Sequence, residues 1–407
     1  MTAPSLPQAD PGAPTAERVG FEPPPALRWH ERLSERAWTV RDRLLSRPAF
    51  RDWAARTWPL RWIARRRAER AFDLMAGFVH AQVLAACIEL RLFDRLAAQP
   101  QTAEALARAH GLAPQRLAAL LDAACALRLL QRRVRGRYGL GPLGLAFVAN
   151  PALEAMVEHH PAFYADLAEP LTLLRAAAGS TRLARYWPYA ALGVDAAAPL
   201  DGDALQTYTR LMARSQPLVA EQVLAVYPFG RHRRMLDIGG GDGSFVAAVA
   251  AHAPRLQLEL FDLPPVAEAA ARRLRDAGLD ARTRVHGGDF HRDALPQGYD
   301  LVSLVRVVHD HDDAPVRALL RRAYAALVPG GTLLVAEPMA GTAGSAGVEA
   351  YFLLYLLAMG SGMPRSVAQL RGLLAEAGFE QIRRWPTAQP LQCSLLSARR
   401  PLGPTSA

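Results

Sequence analysis

The run Met235-Leu-Asp-Ile-Gly-Gly-Gly-Asp-Gly-Ser-Phe245 constrains this chain more than any other feature, because Phe261-Asp-Leu-Pro264 answers it about twenty residues later. A short apolar strand leads straight into glycines and then into a helical pattern from Ser244 to Ala253. A second apolar strand, Leu256 to Phe261, ends on an acid, Asp262. Strand, glycine turn, helix and strand-end acid are the opening unit of a doubly wound parallel sheet, whose ligands sit at the C-terminal ends of the strands. The glycines let the backbone approach a ligand at the helix N-terminus, and Asp262 can accept hydrogen bonds from both hydroxyls of a ribose.

The glycine spacing separates two ligand classes. A dinucleotide fingerprint places a third glycine three positions after Gly241, where this chain has Ser244. What stands here is Gly239-x-Gly241-x-Gly243 with Asp237 just before it, and an acid beside the loop suits a cationic sulfonium and an ammonium better than a phosphate. A glycine-rich loop alone is also what any tight strand-to-helix turn requires. Taken with Asp262 and the later strand ends, the pattern predicts binding of S-adenosylmethionine.

Length and composition set the remaining bounds. A chain of 407 residues suggests two or three domains, and 51% hydrophobic with 21% charged residues describes a globular protein with ample core. The first dozen residues are Pro-rich and lack the apolar centre of a signal peptide. The longest nearly uncharged apolar run, Tyr351 to Met359, is far too short to span a bilayer. Cys87, Cys125 and Cys393 are odd in number and widely spaced, which indicates neither a disulfide framework nor a zinc site and fits a reducing cytoplasm. All 48 basic residues are arginine, so the net charge of +10, beside abundant Ala, Gly and Pro, points to GC-rich coding rather than to nucleic acid. The excess is local: residues 1–70 hold fourteen arginines against eight acids.

Three regions follow: an extension over residues 1–70, a winged-helix region over 71–180 and a sheet domain over 181–400. Residues 1–25 are Pro-rich, a composition that predicts disorder. Residues 27–70 carry Trp29, Trp38, Trp53, Trp58 and Trp62 interleaved with arginine, and Pro48 and Pro59 are expected to divide the segment into short helices. Arg and Trp on amphipathic helices suit a membrane interface, although the same tryptophans could equally dock the extension onto the protein's own surface. Helical spacing runs from Phe72 to Leu96. Thr102 then caps a helix that Gly111 ends, Pro114 starts the next, and Gln131 to Tyr138 with Gly139 and Gly141 reads as a small wing. Such a winged helix could bind DNA, but the helix from Gln115 offers almost no polar side chains to read base edges. Residues 151–230 read as helical. From Arg233 a strand–helix alternation is expected to the end of the chain, with further strands at Ala281 to His286, Tyr299 to Val308 and Gly331 to Ala336.

Reading the strand ends in turn gives Asp237, Asp262, Gly288-Asp289-Phe290, His309-Asp310-His311 and Glu337. Asp289 and Phe290 would flank an adenine, one by hydrogen bonding and one by packing. His309 falls where a base acting beside the methyl donor would stand, and Glu337 could fix its tautomer and favour its protonated form. The cluster His309 to Asp313 invites a metal assignment, but neighbouring residues cannot all point inward and no second ligand set accompanies them, so no metal is expected.

The ordered motifs Leu-Asp-Ile-Gly-Gly-Gly, Phe-Asp-Leu-Pro, Gly-Gly-Asp-Phe, His-Asp-His-Asp-Asp, Pro-Gly-Gly, Glu-Pro and Glu376-Ala-Gly-Phe379 resemble the S-adenosylmethionine-dependent O-methyltransferases of the caffeate and hydroxyindole branch, over residues 72–395. A narrower likeness, to bacterial carotenoid O-methyltransferases, lies in Arg41 to Trp53, Ile63-Ala-Arg-Arg-Arg67, Leu304-Val-Arg-Val-Val-His-Asp-His311 and Met359-Gly-Ser-Gly-Met-Pro-Arg-Ser366. The resemblance implies a Rossmann-like α/β methyltransferase domain preceded by a mainly helical winged-helix dimerisation domain, hence a homodimer. It implies cofactor contacts from Gly239, Asp262, Asp289 and Phe290, completed by Asp237, Gly241, Leu263 and Arg306. His309 matches the general base and Glu337 one of two flanking acids. The second acid is missing: Pro364 precedes Arg365 where plant enzymes have Glu. The lysine usual four residues before the histidine is also replaced, by Val305, with Arg306 one step on.

The acceptor implied is the tertiary hydroxyl of an acyclic 1-hydroxycarotenoid of the hydroxyneurosporene and demethylspheroidene type, in spheroidene and spirilloxanthin synthesis. A phenol, a hydroxyindole or a tetrapyrrole is the alternative, and a DNA-binding regulator is a distant third. The helix around Tyr351 to Met359, apolar nearly all round, would line the acceptor pocket, though core packing explains such a helix equally well. A polyene acceptor would give the Trp/Arg segment a purpose, as a peripheral contact of a cytoplasmic enzyme with the membrane.

Overall fold

Proline and glycine set most of the element boundaries in the computed structural model, which describes residues 28–177, 179–186, 202–342, 346–390 and 392–402. The Pro-rich residues 1–25 lie outside them. The chain divides into two units after His80. In the first, helix Trp29–Ser46 opens with a box in which the Arg28 N–H donates to Glu31 Oε2 at 2.6 Å. Trp29, Leu33, Val40 and Leu44 recur at helical spacing along one face, yet nothing in this helix or in Pro48–Arg56 is buried.

Pro48 begins the second helix, at a position where a missing N–H costs nothing. The expectation of short helices fails after Pro59. The next helix runs 30 residues, Leu60–Glu89, because the proline stands outside its start and the sequence beyond is rich in Arg, Ala and Leu. By length and composition this helix could cross a membrane, with 17% of its apolar window buried. Asp73 and the polar residues after it interrupt that window in sequence, which hides its length from a search for uncharged runs.

The second unit opens on the end of that helix, where Val83, Cys87 and Ile88 join a core with Phe93, Leu106 and Leu121. Helices Leu92–Ala98, Ala103–His110 and Pro114–Ala126 pack with a three-stranded sheet of β1 (Gln101–Thr102), β2 (Leu130–Arg132) and β3 (Arg137–Leu140), in the order β1-β3-β2. Thr102 Oγ1 accepts from the Ala105 N–H at 3.3 Å, and Gly111 closes its helix at φ +64°. Helices then fill the chain from Pro151 to Leu224 wherever it is described.

The main sheet has seven strands: β4 (Arg234–Ile238), β5 (Gln257–Asp262), β6 (Thr283–Gly287), β7 (Tyr299–Val305), β8 (Leu327–Glu337), β9 (Glu380–Trp385) and β10 (Ser394–Arg399). Their order is β6-β5-β4-β7-β8-β10-β9, with the first five parallel and β10 antiparallel to both neighbours. The alternation expected to the end thus stops at β9. Residues 386–393 are too few for a parallel crossover, which takes a dozen or more, so the chain closes on a hairpin. The winding reverses between β4 and β7, whose facing register sets Asp237 opposite Ser303. Ligand crevices of doubly wound sheets open at that reversal.

Candidate active site

The turn after β4 is shaped by left-handed backbone at Gly239 (φ +69°), Gly241 and Gly243. A side chain at Gly239 would place its Cβ 2.8 Å from Val307, so glycine is what lets β4 and the β7 loop approach here. At the end of β5, Asp262 Oδ2 accepts from the Gly241 N–H at 2.8 Å and Oδ1 from the Leu263 N–H at 2.7 Å. Each oxygen keeps a lone pair for a further donor. Burial pushes this carboxyl up to about 6, against the pull of those two N–H groups.

Below the turn, Asp237 is buried and accepts from the Ser303 hydroxyl through Oδ1. Its Oδ2 is equally buried and has no hydrogen-bond partner among the described residues, and burial pushes the carboxyl up to about 7. A buried, half-satisfied carboxylate beneath a glycine turn suits a ligand that carries positive charge.

Above these residues lies a cleft that opens to solvent. Gly239, Gly241, Asp262, Phe290 and Arg306 line it. Of the other residues read from the sequence, Asp237 lies under the turn and Leu263 contributes its N–H to Asp262. Asp289 turns into its own loop, where its carboxylate accepts from the His291 N–H at 2.8 Å. Ala213 and Gln216 also line the cleft, from helix Gly202–Leu224, and sequence reasoning missed both. Nothing in an amphipathic helix marks which of its small residues will face a ligand. Arg306 adopts φ +59°, a strained conformation for a residue with a side chain, and its Nη1 donates to Ser215 Oγ at 2.7 Å.

A second cleft adjoins the first, and Arg306 and Asp310 belong to the walls of both. His309, Met156, His159, Phe352, Tyr355 and Leu356 line it. The His160 ring bonds the Tyr351 hydroxyl at 3.0 Å, and burial pulls that histidine down to about 4, so it is neutral.

The His309 ring is held between two carboxylates. Its Nδ1 lies 3.0 Å from Glu337 Oε2 and its Nε2 3.1 Å from Asp310 Oδ1. Burial lowers the basicity of the ring, but Asp310 and Glu337 outweigh it, and the net displacement is upward. Burial also pushes Asp310 up to about 6. The structure therefore brings His309 and Glu337 together as expected and adds Asp310 on the other ring nitrogen. No group of three or more His, Cys, Asp or Glu that could hold a metal ion occurs among the described residues.

Residues 174–380 match the O-methyltransferase domain and residues 72–150 the O-methyltransferase dimerisation domain. The chain belongs to the O-methyltransferase family: it is an enzyme that takes its methyl group from S-adenosylmethionine, and its dimerisation domain equips it to pair with a second copy. It is 47% identical to a demethylspheroidene O-methyltransferase of Cereibacter sphaeroides, over 84% of this chain and 89% of the relative. It is 40% identical to a demethylspheroidene O-methyltransferase of Rhodobacter capsulatus, over 83% and 84%. Among solved structures, an O-methyltransferase from neocarzinostatin biosynthesis, in complex with S-adenosylmethionine and 2-hydroxy-5-methyl naphthoic acid, is similar with a TM-score of 0.59 and 29% identity, covering 79% of this chain and 96% of that one.

Proposed function

We propose that the protein methylates the tertiary hydroxyl of an acyclic 1-hydroxycarotenoid, with His309 as the general base. The observation that carries the chemistry is His309 in the wall of the second cleft, its ring set between Glu337 and Asp310, the latter shared with the first cleft. The acceptor class rests on the two relatives above.

S-adenosylmethionine supplies a methyl group on a sulfonium, ready for displacement. The glycine turn with the unpartnered Asp237 Oδ2 below it fits the cationic end, the two remaining lone pairs of Asp262 fit the ribose hydroxyls, and Phe290 fits the adenine face. Gly239, Gly241, Leu263, Asp289 and Arg306 complete the proposed contacts. Once bound, the donor would supply the methyl group to the acceptor oxygen; His309 takes the hydroxyl proton at Nε2, from which Asp310 Oδ1, 3.1 Å away, turns aside to admit the hydroxyl. A tertiary alcohol is a weak acid, so proton removal must accompany attack. The imidazolium then stands between two carboxylates, which is the environment that favours it. Holding the hydroxyl in line is the task of the second cleft, whose aromatic wall of Phe352 and Tyr355 suits a polyene end.

The organisation proposed is an extension over 1–70, a dimerisation domain over 71–180 and the catalytic domain over 181–400. Residues 27–70 are proposed as a peripheral membrane contact of a cytoplasmic enzyme. Trp29 and Trp58 are each 75% exposed, and Arg41 stacks on Trp38 at 4.0 Å. An indole at the headgroup level beside a guanidinium is a membrane-interface arrangement, and each arginine near an anionic surface adds about 1 kcal/mol.

The test is incubation with S-adenosylmethionine and a 1-hydroxylated acyclic carotenoid in detergent, followed by mass analysis of the pigment. A gain of one methyl group is expected only when the methyl donor is present. Binding of S-adenosylmethionine without any gain would refute this acceptor class.

A further inference from the structure

The loop that carries His309 is held from two sides. From within, the Glu337 carboxylate accepts the backbone N–H groups of Val307 (3.1 Å), Val308 (2.5 Å) and His309 (2.7 Å). From without, the segment Gly360–Ser366 takes the carbonyls. Arg365 Nη1 donates to Val308 O at 2.8 Å, the Met363 N–H to His309 O at 3.0 Å, Ser361 Oγ to Asp310 O at 2.8 Å and Arg365 Nη2 to His311 O at 2.8 Å. Four consecutive carbonyls are thus satisfied by one short stretch some fifty residues away in sequence.

Two features show that this fit is specific. Arg365 is 3% exposed, and its charge is met by Asp313 Oδ1, at 3.0 Å from Nε and 2.8 Å from Nη2. Gly362 has φ +88°, and any side chain there would collide with the His309 carbonyl. The segment also continues directly from helix Ala346–Met359, whose Tyr351, Phe352 and Tyr355 line the second cleft. One continuous stretch therefore joins the wall of that cleft to the backbone of His309.

We propose that Gly360–Ser366 is a strap that positions His309, with Arg365 as its positioning residue. The proposal rests on the reading of His309 as the base. Orientation supplied through a ring contact can equally be supplied through the backbone, provided that every polar group of the loop is fixed. A misplacement of about 1 Å is enough to cost about 10²-fold in rate.

The test compares Arg365→Met, Arg365→Lys, Ser361→Ala and His309→Ala in the full-length enzyme. The measurements are kcat and KM for the 1-hydroxycarotenoid, S-adenosylmethionine affinity, and hydrogen exchange of the amides from Val307 to Met363. Arg365→Met is expected to lower kcat by about 10²-fold while KM and cofactor affinity hold, with faster exchange confined to the loop and strap. Arg365→Lys, which can still reach one carbonyl, should recover part of the loss. Ser361→Ala, which removes a single bond, should give a smaller loss of the same kind and guards against a misfolded arginine variant.

Unchanged kcat in Arg365→Met, or parallel loss of cofactor affinity, would overturn the strap. Turnover retained by His309→Ala would remove the base reading instead. If the wild type is inert toward the carotenoid, the acceptor reading falls, and unaltered exchange of the loop in Arg365→Met would then overturn the strap as well.

Discussion

Arginine serves two regions of this molecule in opposite ways. Arg365 is buried, and its guanidinium donates to one loop and one acid. The arginines of Trp29–Ser46 and Pro48–Arg56 stand among exposed tryptophans on helices that bury nothing. In the first region function depends on where an atom stands, so removing one contact should alter a rate. In the second, the proposed membrane contact would depend on how much charge and indole surface is offered, so the effect of one substitution should be graded and should spare the chemistry.

The sharpest break of that contrast is His309→Ala. Turnover should fall by about 10²- to 10⁴-fold, the usual worth of general-base help, with S-adenosylmethionine affinity retained in a titration of the purified enzyme. Turnover equal to wild type would end the assignment.

Next in size is Glu337→Gln. The base must be neutral to act, and His309 is displaced upward, so kcat/KM should fall as pH drops through an inflection above the ordinary histidine value of 6.5. Removing one of the two carboxylates that raise it should move the inflection to lower pH and cost roughly 10-fold in rate, since Gln also loses an acceptor for the loop N–H groups. The profile belongs to the His309–Asp310 pair, because the two groups lie 3.1 Å apart. An inflection that stays in place would mean that Glu337 acts on the loop alone.

The smallest effect on catalysis is expected in the first unit. Replacing Trp29, Trp53 and Trp58 by alanine should reduce flotation with anionic liposomes, and added salt should reduce it further, while kcat in detergent stays at the wild-type value. Equal flotation of the two proteins would remove the membrane contact.

Much of the catalytic unit is legible in sequence because its signals are local. The glycines after β4, the acid after β5 and the caps at Thr102 and Gly111 each answer to the geometry of a few adjacent residues. Glu337 beside His309 follows from neighbouring strand ends in a parallel sheet. What escapes is distant or patternless. The strap binds backbone carbonyls, which every residue type presents, so no motif marks its partners. Ala213 and Gln216 reach the cleft only through the tilt of a helix. The β9–β10 hairpin is missed because Glu380–Trp385 is a polar edge strand with little apolar alternation. The length of Leu60–Glu89 is missed because a proline just outside a helix looks like a proline within one.

A loop with its carbonyls and N–H groups engaged on both sides also has a motional consequence. Active-site loops commonly open ahead of the core, since few of their bonds must break. The segment from Val307 to His311 can detach only by releasing Glu337, at the end of a central strand, and Arg365, at the start of a packed helix. Its opening is thereby tied to that of the sheet, and the flexibility needed to admit a large acceptor has to come from the surrounding helices.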